Sequence, residues 1–289
     1  MTAESTLRAD IVEIGRRMYA RGYTASNDGN ISVRLGADRL LMTPKSVCKG
    51  FMTPDMMCIT DLDGGKLHGE RDPSSEMLMH LEVYRHRRDV QAVVHAHPPI
   101  ATGFAVAGIP LTRAVLAEVL TTLGSIPIAA YATPSTQELP DAVRQYIKAH
   151  DGMLLANHGA LTVGADLYSA YYKMETIEHF AKISLVARLL GRENLIAREE
   201  VERLQELRGT YGIKAPAPIC ADDSAPPSVA DAAALCQVVE APPGGGQRLV
   251  PGIMASSSAD GSRTDGDAEI RLTYRELSAL IEDAVRSLR

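Results

Sequence analysis

The spacing of apolar residues divides this chain into a patterned body and a thinner tail. Leu7, Ile11, Ile14 and Met18 repeat every three or four residues, which predicts an amphipathic helix with Gly22 as its stop. The period then shortens. Residues 31–35, 39–42 and 57–60 predict strands, and Asp63-Gly64-Gly65 predicts the turn that follows them. A helix is predicted over 74–87. The run Ala92-Val93-Val94 predicts a buried strand carrying His95 and His97, and Pro98-Pro99 ends it by removing two backbone donors. Further helices are predicted near 116–123, 139–149 and 167–190, with short strands at 126–131 and around 153–163. Helices and strands alternate without the repeated βαβ spacing of a doubly wound sheet. The pattern predicts one α/β (α+β) domain over residues 1–213, with a central, mainly antiparallel sheet flanked by helices.

Composition changes after that domain. Residues 214–269 are dominated by Ala, Pro, Gly, Ser and Asp, including Pro226-Pro227, Pro242-Pro243 and Gly244-Gly245-Gly246. Such a stretch has too few large apolar side chains to offset ordering entropy, which predicts a flexible linker. Over residues 270–289 the helical period returns. Ile270, Tyr274, Leu277, Leu280, Ile281, Ala284, Val285 and Leu288 form one apolar stripe, and Thr273 with Glu276 fits a capping box. An amphipathic helix this short needs a partner for its apolar face. Glu276, Glu282 and Asp283 count against a membrane surface as that partner.

With 289 residues, 45% of them hydrophobic, the chain can bury a sizeable core. A net charge of -6 and the absence of any Lys/Arg run argue against a nucleic-acid partner. No apolar stretch is long enough to cross a bilayer, and Glu4, Arg8, Asp10 and Glu13 interrupt any signal-peptide core. Cys48, Cys58, Cys220 and Cys236 form no C-x-x-C pair, which argues against a disulfide framework or a cysteine zinc site. These readings describe a soluble, cytoplasmic protein.

The candidate chemistry lies in three separated fragments: Ser74-Ser75-Glu76, His95-Ala96-His97 and Asn157-His158-Gly159. Side chains at i and i+2 of a strand share a face, so His95 and His97 are placed to reach one metal, and His158 supplies a third nitrogen. Three imidazoles and the Glu76 carboxylate can surround a divalent, zinc-like ion. Three nitrogens leave a position open for substrate, as a catalytic site requires. Ser74 and Ser75 read as a helix start, where free N–H groups and the helix dipole favour an anion.

Together with Asp28-Gly29-Asn30-Ile31-Ser32 and Thr210-Tyr211-Gly212, these fragments resemble the class II aldolase/adducin family, and within it the bacterial L-fuculose-1-phosphate aldolases. The resemblance covers about residues 5–213. It implies one Zn2+ per subunit on His95, His97, His158 and Glu76, with Glu76 leaving the metal to act as general base. It implies contacts to the substrate phosphate at Asn27, Asn30, Ser46, Ser74 and Ser75. Tyr211 matches a family tyrosine that assists at the aldehyde-forming oxygen, across a subunit boundary in a homotetramer. The implied reaction splits a ketose 1-phosphate, of the L-fuculose 1-phosphate or L-rhamnulose 1-phosphate type, into dihydroxyacetone phosphate and an aldehyde such as lactaldehyde.

This chain departs from the family pattern at three places. Asn27 stands where the family loop has threonine, and Lys45-Ser46 stands for its Thr-Gly. Residues 113–118 lack a second family tyrosine, which weakens the lactaldehyde reading. Glutamate at position 76 favours cleavage over the related pentulose-phosphate 4-epimerases, which carry aspartate. Sugar-acid phosphate decarboxylases share the glutamate and are the enzymatic alternative. A non-catalytic, adducin-like interaction module is the alternative of another class, and the intact ligand set counts against it. The tail resembles the encapsulation peptides of bacterial microcompartments, which implies a shell or cargo protein as partner and an encapsulated location. His68, His80, His86, His150 and His179 read as core or surface residues.

Overall fold

The computed structural model describes residues 3–210, 213–214, 217–219, 238–239 and 248–249. A first helix, α1 (Ala3–Ala20), precedes four strands, β1 (Asn30–Leu35), β2 (Arg39–Met42), β3 (Cys58–Asp61) and β4 (Lys66–His68). Next come α2 (Met77–His86), β5 (Ala92–Ala96), α3 (Pro99–Val106), α4 (Ala117–Thr122), β6 (Ile128–Ala129) and α5 (Glu138–Ile147). The hairpin of β7 (Gly152–Leu155) and β8 (Gly159–Gly164) leads into α6 (Leu167–Leu189) and α7 (Arg198–Thr210). Two further short strands, β9 (Val238–Val239) and β10 (Arg248–Leu249), pair with each other. The main sheet has the order β4-β3-β2-β1-β5-β8-β7-β6 and is antiparallel except where β6 meets β7. It is the mainly antiparallel, helix-flanked sheet that the pattern predicts.

Alternation along the central strands decides what each face meets. Ile31 and Val33 of β1, with Ala92, Val94 and Ala96 of β5, join Ile11 and Ile14 of α1, Phe104 of α3 and Ile177 of α6 in one core. Val93 points the other way, into a second core with Leu81 of α2 and Val143 and Tyr146 of α5. The same alternation puts Asn30, Ser32 and His95 on that second face. Asn30 lies directly opposite His95 in the β1–β5 register. Polar groups thus sit beneath α2 at one end of an otherwise apolar layer.

A buried charge cluster pins α6 to the corner between α2 and β5. Arg87 donates to Asp151 at 2.9 Å, to Asp89 at 2.7 Å and to the Ile147 carbonyl at 3.0 Å. Lys173 of α6 donates to the other Asp151 oxygen at 2.5 Å.

Several elements differ from expectation. Pro98-Pro99 ends β5, but Pro99 also opens α3, because proline at the first helical position loses a donor that has no partner there. α7 escapes the apolar pattern because among its side chains only Val201 and Arg208 are buried. α2 begins at Met77, three residues later than the predicted Ser74, because Ser74 to Glu76 form a turn ahead of it. Two parts of the expected linker are engaged in structure. The Pro218 carbonyl accepts from Ser125 N at 2.8 Å, and β9 pairs with β10. Tyr211, most of the expected linker and the predicted 270–289 helix lie outside the described residues.

Asp151→Ala removes the buried carboxylate that Arg87 and Lys173 share and leaves Lys173 without its carboxylate partner. The expected loss is about 3–5 kcal/mol, read as a lower midpoint in equilibrium denaturant unfolding. A loss below about 1 kcal/mol would mean the cluster behaves as a surface ion pair.

Candidate metal centre

The three histidines arrive from two neighbouring strand ends. His95 is the fourth residue of β5 and fully buried, and His97 lies one residue beyond the strand. His158 lies in the tight β7–β8 turn, where Asn157 takes a left-handed φ of 54°. Asparagine tolerates that conformation better than most side chains. The ring centroids are 5.0 Å apart for His95–His97, 4.7 Å for His95–His158 and 5.1 Å for His97–His158. One nitrogen from each ring lies within 4.8 Å of the other two. Among the described residues this is the one such cluster found.

Hydrogen bonds aim the rings. His95 Nδ1 donates to the Ala160 carbonyl at 2.9 Å, which leaves Nε2 as the lone-pair nitrogen. That Nε2 lies 3.2 Å from His97 Nε2. His97 Nδ1 faces the Asp28 carboxylate at 3.4 Å. Burial lowers the pKa of both His95 and His97, so each presents a neutral, ligating imidazole. Gly159 is required by close packing. A Cβ there would lie 2.5 Å from the Ala96 carbonyl oxygen and 2.6 Å from His97 Cδ2.

Glu76 completes the arrangement. Its two carboxylate oxygens lie 3.0 Å from His158 Nε2 and 3.4 Å from His95 Nε2. Asn30 Nδ2 donates to it at 2.8 Å. Burial alone pushes the Glu76 carboxyl up, but the nearby His95, His158 and Asn30 outweigh it and hold the group well below the usual carboxylate range. A divalent ion fits this donor set. Glu76 Oε1 and His158 Nδ1 are buried without hydrogen-bond partners, and lone-pair nitrogens converge beside an acceptor-only carboxylate.

The expected phosphate residues come from three adjoining loops. The 43–46 and 72–75 loops are joined at Pro44 and Pro73, with Ser74 N donating to Thr43 O at 3.2 Å. The 27–30 loop is tied in by Lys49, whose Nζ donates to Asn27 O at 3.0 Å and Val47 O at 2.6 Å. Asn27, Ser46 and Ser75 are exposed, whereas Ser74 and Asn30 are buried. Two expectations change here. Ser74 N is engaged by Thr43 O of the neighbouring loop and Glu76 N by Ser74 Oγ within the turn, so they are not free helix-start donors. The Asn30 amide is engaged at both ends, by Glu76 and by His80, so a phosphate contact there would displace a protein partner.

Two residues at the site were not legible as such. Lys49 is 2% exposed, and burial lowers its ammonium pKa to about 8. His80 reads as an ordinary helical histidine, but it is fully buried and reaches Asn30 and Ser32 across the β1 face. Its sequence signal is a position one helical turn after Glu76, above the polar alternation Asn30, Ser32.

Residues 9–185 match the family described as Class II Aldolase and Adducin N-terminal domain. The chain belongs to this family. The 5-deoxy-D-ribulose 1-phosphate aldolase of Bacillus thuringiensis serovar kurstaki is 34% identical over 206 residues, 71% of this chain and 96% of that one. The 3-oxo-tetronate 4-phosphate decarboxylase of Pectobacterium atrosepticum is 29% identical over 190 residues, 64% of this chain and 87% of that one. A solved L-fuculose 1-phosphate aldolase superposes with a TM-score of 0.66 at 29% identity, over 71% of this chain and 96% of that one. The domain therefore has the class II aldolase fold. Among the described residues no helix is long and apolar enough to cross a membrane.

Gly159→Ala forces the His97 ring or the β5 end to move. Zinc affinity measured by chelator competition should fall at least about tenfold; unchanged affinity would show that this packing does not set the ligand geometry. A second expectation concerns acid stability. Burial lowers the His80 pKa from 6.5 to about 4, so the unfolded chain binds the proton first. Stability from His80 is present above pH 6.5 and is lost as pH falls toward 4, by about 3 kcal/mol in all. Denaturant unfolding across that range should show less acid loss in His80→Gln than in the wild type. Equal loss would contradict a buried neutral ring.

Proposed function

We propose that this chain is a divalent-metal-dependent aldolase that cleaves a ketose 1-phosphate into dihydroxyacetone phosphate and an aldehyde. The observation that carries the reading is the Glu76 carboxylate lying within 3.4 Å of two histidines of a three-histidine cluster. Such a group is anchored for metal binding and is of the type that moves a proton in general acid–base catalysis. The three imidazoles favour zinc as the ion. When bound, the ion supplies Lewis acidity to the negative charge that builds on the substrate oxygens.

The chain's own groups account for the proton movements. Cleavage moves the hydroxyl proton of the carbon that becomes the aldehyde onto the ionised Glu76 carboxylate. The carbon–carbon bond then breaks and its electron pair stays on the dihydroxyacetone phosphate half. Glu76 delivers a proton to that carbon, and Asn30 holds the carboxylate in place. Tyr211 is assigned to the aldehyde-forming oxygen on the family resemblance. The exposed Asn27, Ser46 and Ser75, with the buried Ser74, line the loops assigned to phosphate.

The aldolase names of the relatives support sugar-phosphate cleavage as the reaction class. Within it we favour a deoxy sugar of the L-fuculose 1-phosphate or L-rhamnulose 1-phosphate type. Decarboxylation of a sugar-acid phosphate is the second reading. It is favoured by the decarboxylase relative and by the same need to place a proton on carbon after a bond breaks. A homotetramer with Tyr211 contributed by a neighbour, and a 270–289 helix docked on a microcompartment shell or cargo protein, belong to this reading on resemblance.

A coupled assay for dihydroxyacetone phosphate across a panel of ketose phosphates tests the reaction. Release from at least one deoxyketose phosphate, abolished by chelator and restored by zinc, is the expected result. Carbon dioxide release from a 3-keto sugar-acid phosphate, without any dihydroxyacetone phosphate, would favour the second reading. Glu76→Gln should retain the metal and lose about 10²–10⁴-fold in turnover. Near-normal turnover would refute the role given to Glu76.

A further inference from the structure

A chain of buried polar groups runs from α2 to the Glu76 carboxylate, and its hydrogen-bond directions are fixed by one another. Glu76 is an ionised acceptor, so the Asn30 atom facing it at 2.8 Å must be the amide Nδ2. The Asn30 carbonyl oxygen then faces His80 Nε2 at 2.5 Å, so Nε2 must carry the proton. A neutral ring protonated at Nε2 has a lone pair at Nδ1. Ser32 Oγ, 2.7 Å away, therefore donates to it. Tyr84 closes the chain. Its hydroxyl lies 3.0 Å from the Ser32 carbonyl and 2.9 Å from Ser32 Oγ, and it donates its single proton toward them. Reversing any one link sets two acceptors against each other in a dry site.

We infer that His80 is a positioning residue for the reaction: its Nε2–H anchors the carbonyl end of the Asn30 amide, and so holds the amide nitrogen against the proton-carrying Glu76 carboxylate. The inference rests on the proposed role of Glu76. The His80 ring hydrogen-bonds to Asn30 and Ser32 and to none of His95, His97, His158 or Glu76. It acts through Asn30 alone, across 50 residues of sequence and one turn of α2 from Glu76. Without it the Asn30 carbonyl oxygen has no donor in a dry site, the amide is held at one end only, and the donor that keeps Glu76 between Asn30 and the histidines is no longer fixed in place. A core histidine retained only for packing would have no such requirement for one particular nitrogen.

Glutamine and asparagine separate the two roles. In His80→Gln the side-chain amide nitrogen reaches the place of Nε2 and keeps the donor to Asn30. In His80→Asn the carboxamide reaches only the place of Nδ1, keeps the contact with Ser32 and leaves the Asn30 oxygen without a donor. Each variant and the wild type, loaded with zinc, would be assayed for solvent deuterium exchange at the hydroxymethyl carbon of dihydroxyacetone phosphate. Thermal midpoint and zinc content would be measured alongside. His80→Gln should stay within about threefold of wild type. His80→Asn should lose at least about tenfold in the maximal exchange rate, with KM and zinc content nearly unchanged. Equal rates in the two variants, or losses that track only the thermal midpoint, would overturn the inference.

Crystal structures of the two variants give a readout independent of turnover. The separation of Asn30 and Glu76 should stay within hydrogen-bond range in His80→Gln and exceed about 3.5 Å in His80→Asn. An unchanged separation in His80→Asn would also overturn it. If the wild type itself fails to exchange dihydroxyacetone phosphate, the aldolase reading fails, and the crystal structures still decide the role of His80.

Discussion

The structure depends on a cluster of three imidazoles and a carboxylate that make little sense without a cation between them. His95 and His97 bring nitrogens within 3.2 Å of each other, and Glu76 approaches His158 at 3.0 Å. Placing these groups together in a mostly dry site is costly unless each finds a partner. A divalent ion supplies partners to all of them at once. The surrounding elements read as means of holding that geometry. Strand alternation aims His95, the Asn157 turn aims His158, and Gly159 keeps the β7–β8 turn close to the β5 end.

A second layer sets directions rather than distances. The Ala160 carbonyl fixes the tautomer of His95, Asp28 faces His97, and the Tyr84–Ser32–His80–Asn30 chain orients the amide on Glu76. Apart from Asp28, which lies in the 27–30 loop, these groups come from strands and from α2, so the direction-setting contacts rest on the sheet and the helix packed on it. The loops with Asn27, Ser46 and Ser75 are more open, with these three side chains exposed.

Much of this was legible in the sequence because the relevant contacts repeat locally. The apolar run before His95 and the i, i+2 spacing of the histidines placed both rings on one face, and the Leu7, Ile11, Ile14 and Met18 stripe of α1 followed its helical period. Other features were not legible, for identifiable reasons. Pro98-Pro99 carries two meanings, a strand stop and a helix start, and only packing on α6 shows that both apply. α7 has too thin an apolar stripe to stand out from a charged segment. Lys49 and His80 become functional candidates only through burial against residues far away in sequence. Local pattern carries no signal for burial of that kind. The start of α2 moved for a similar reason, since Ser74 N pairs with Thr43 of a distant loop instead of opening the helix.

The most direct test of the account is X-ray absorption spectroscopy at the zinc edge of the loaded protein. It predicts one ion per chain with three imidazole nitrogens at about 2.0–2.1 Å, and one fewer in His158→Ala. An ion held without imidazole ligands, or the same shell in that variant, would contradict it.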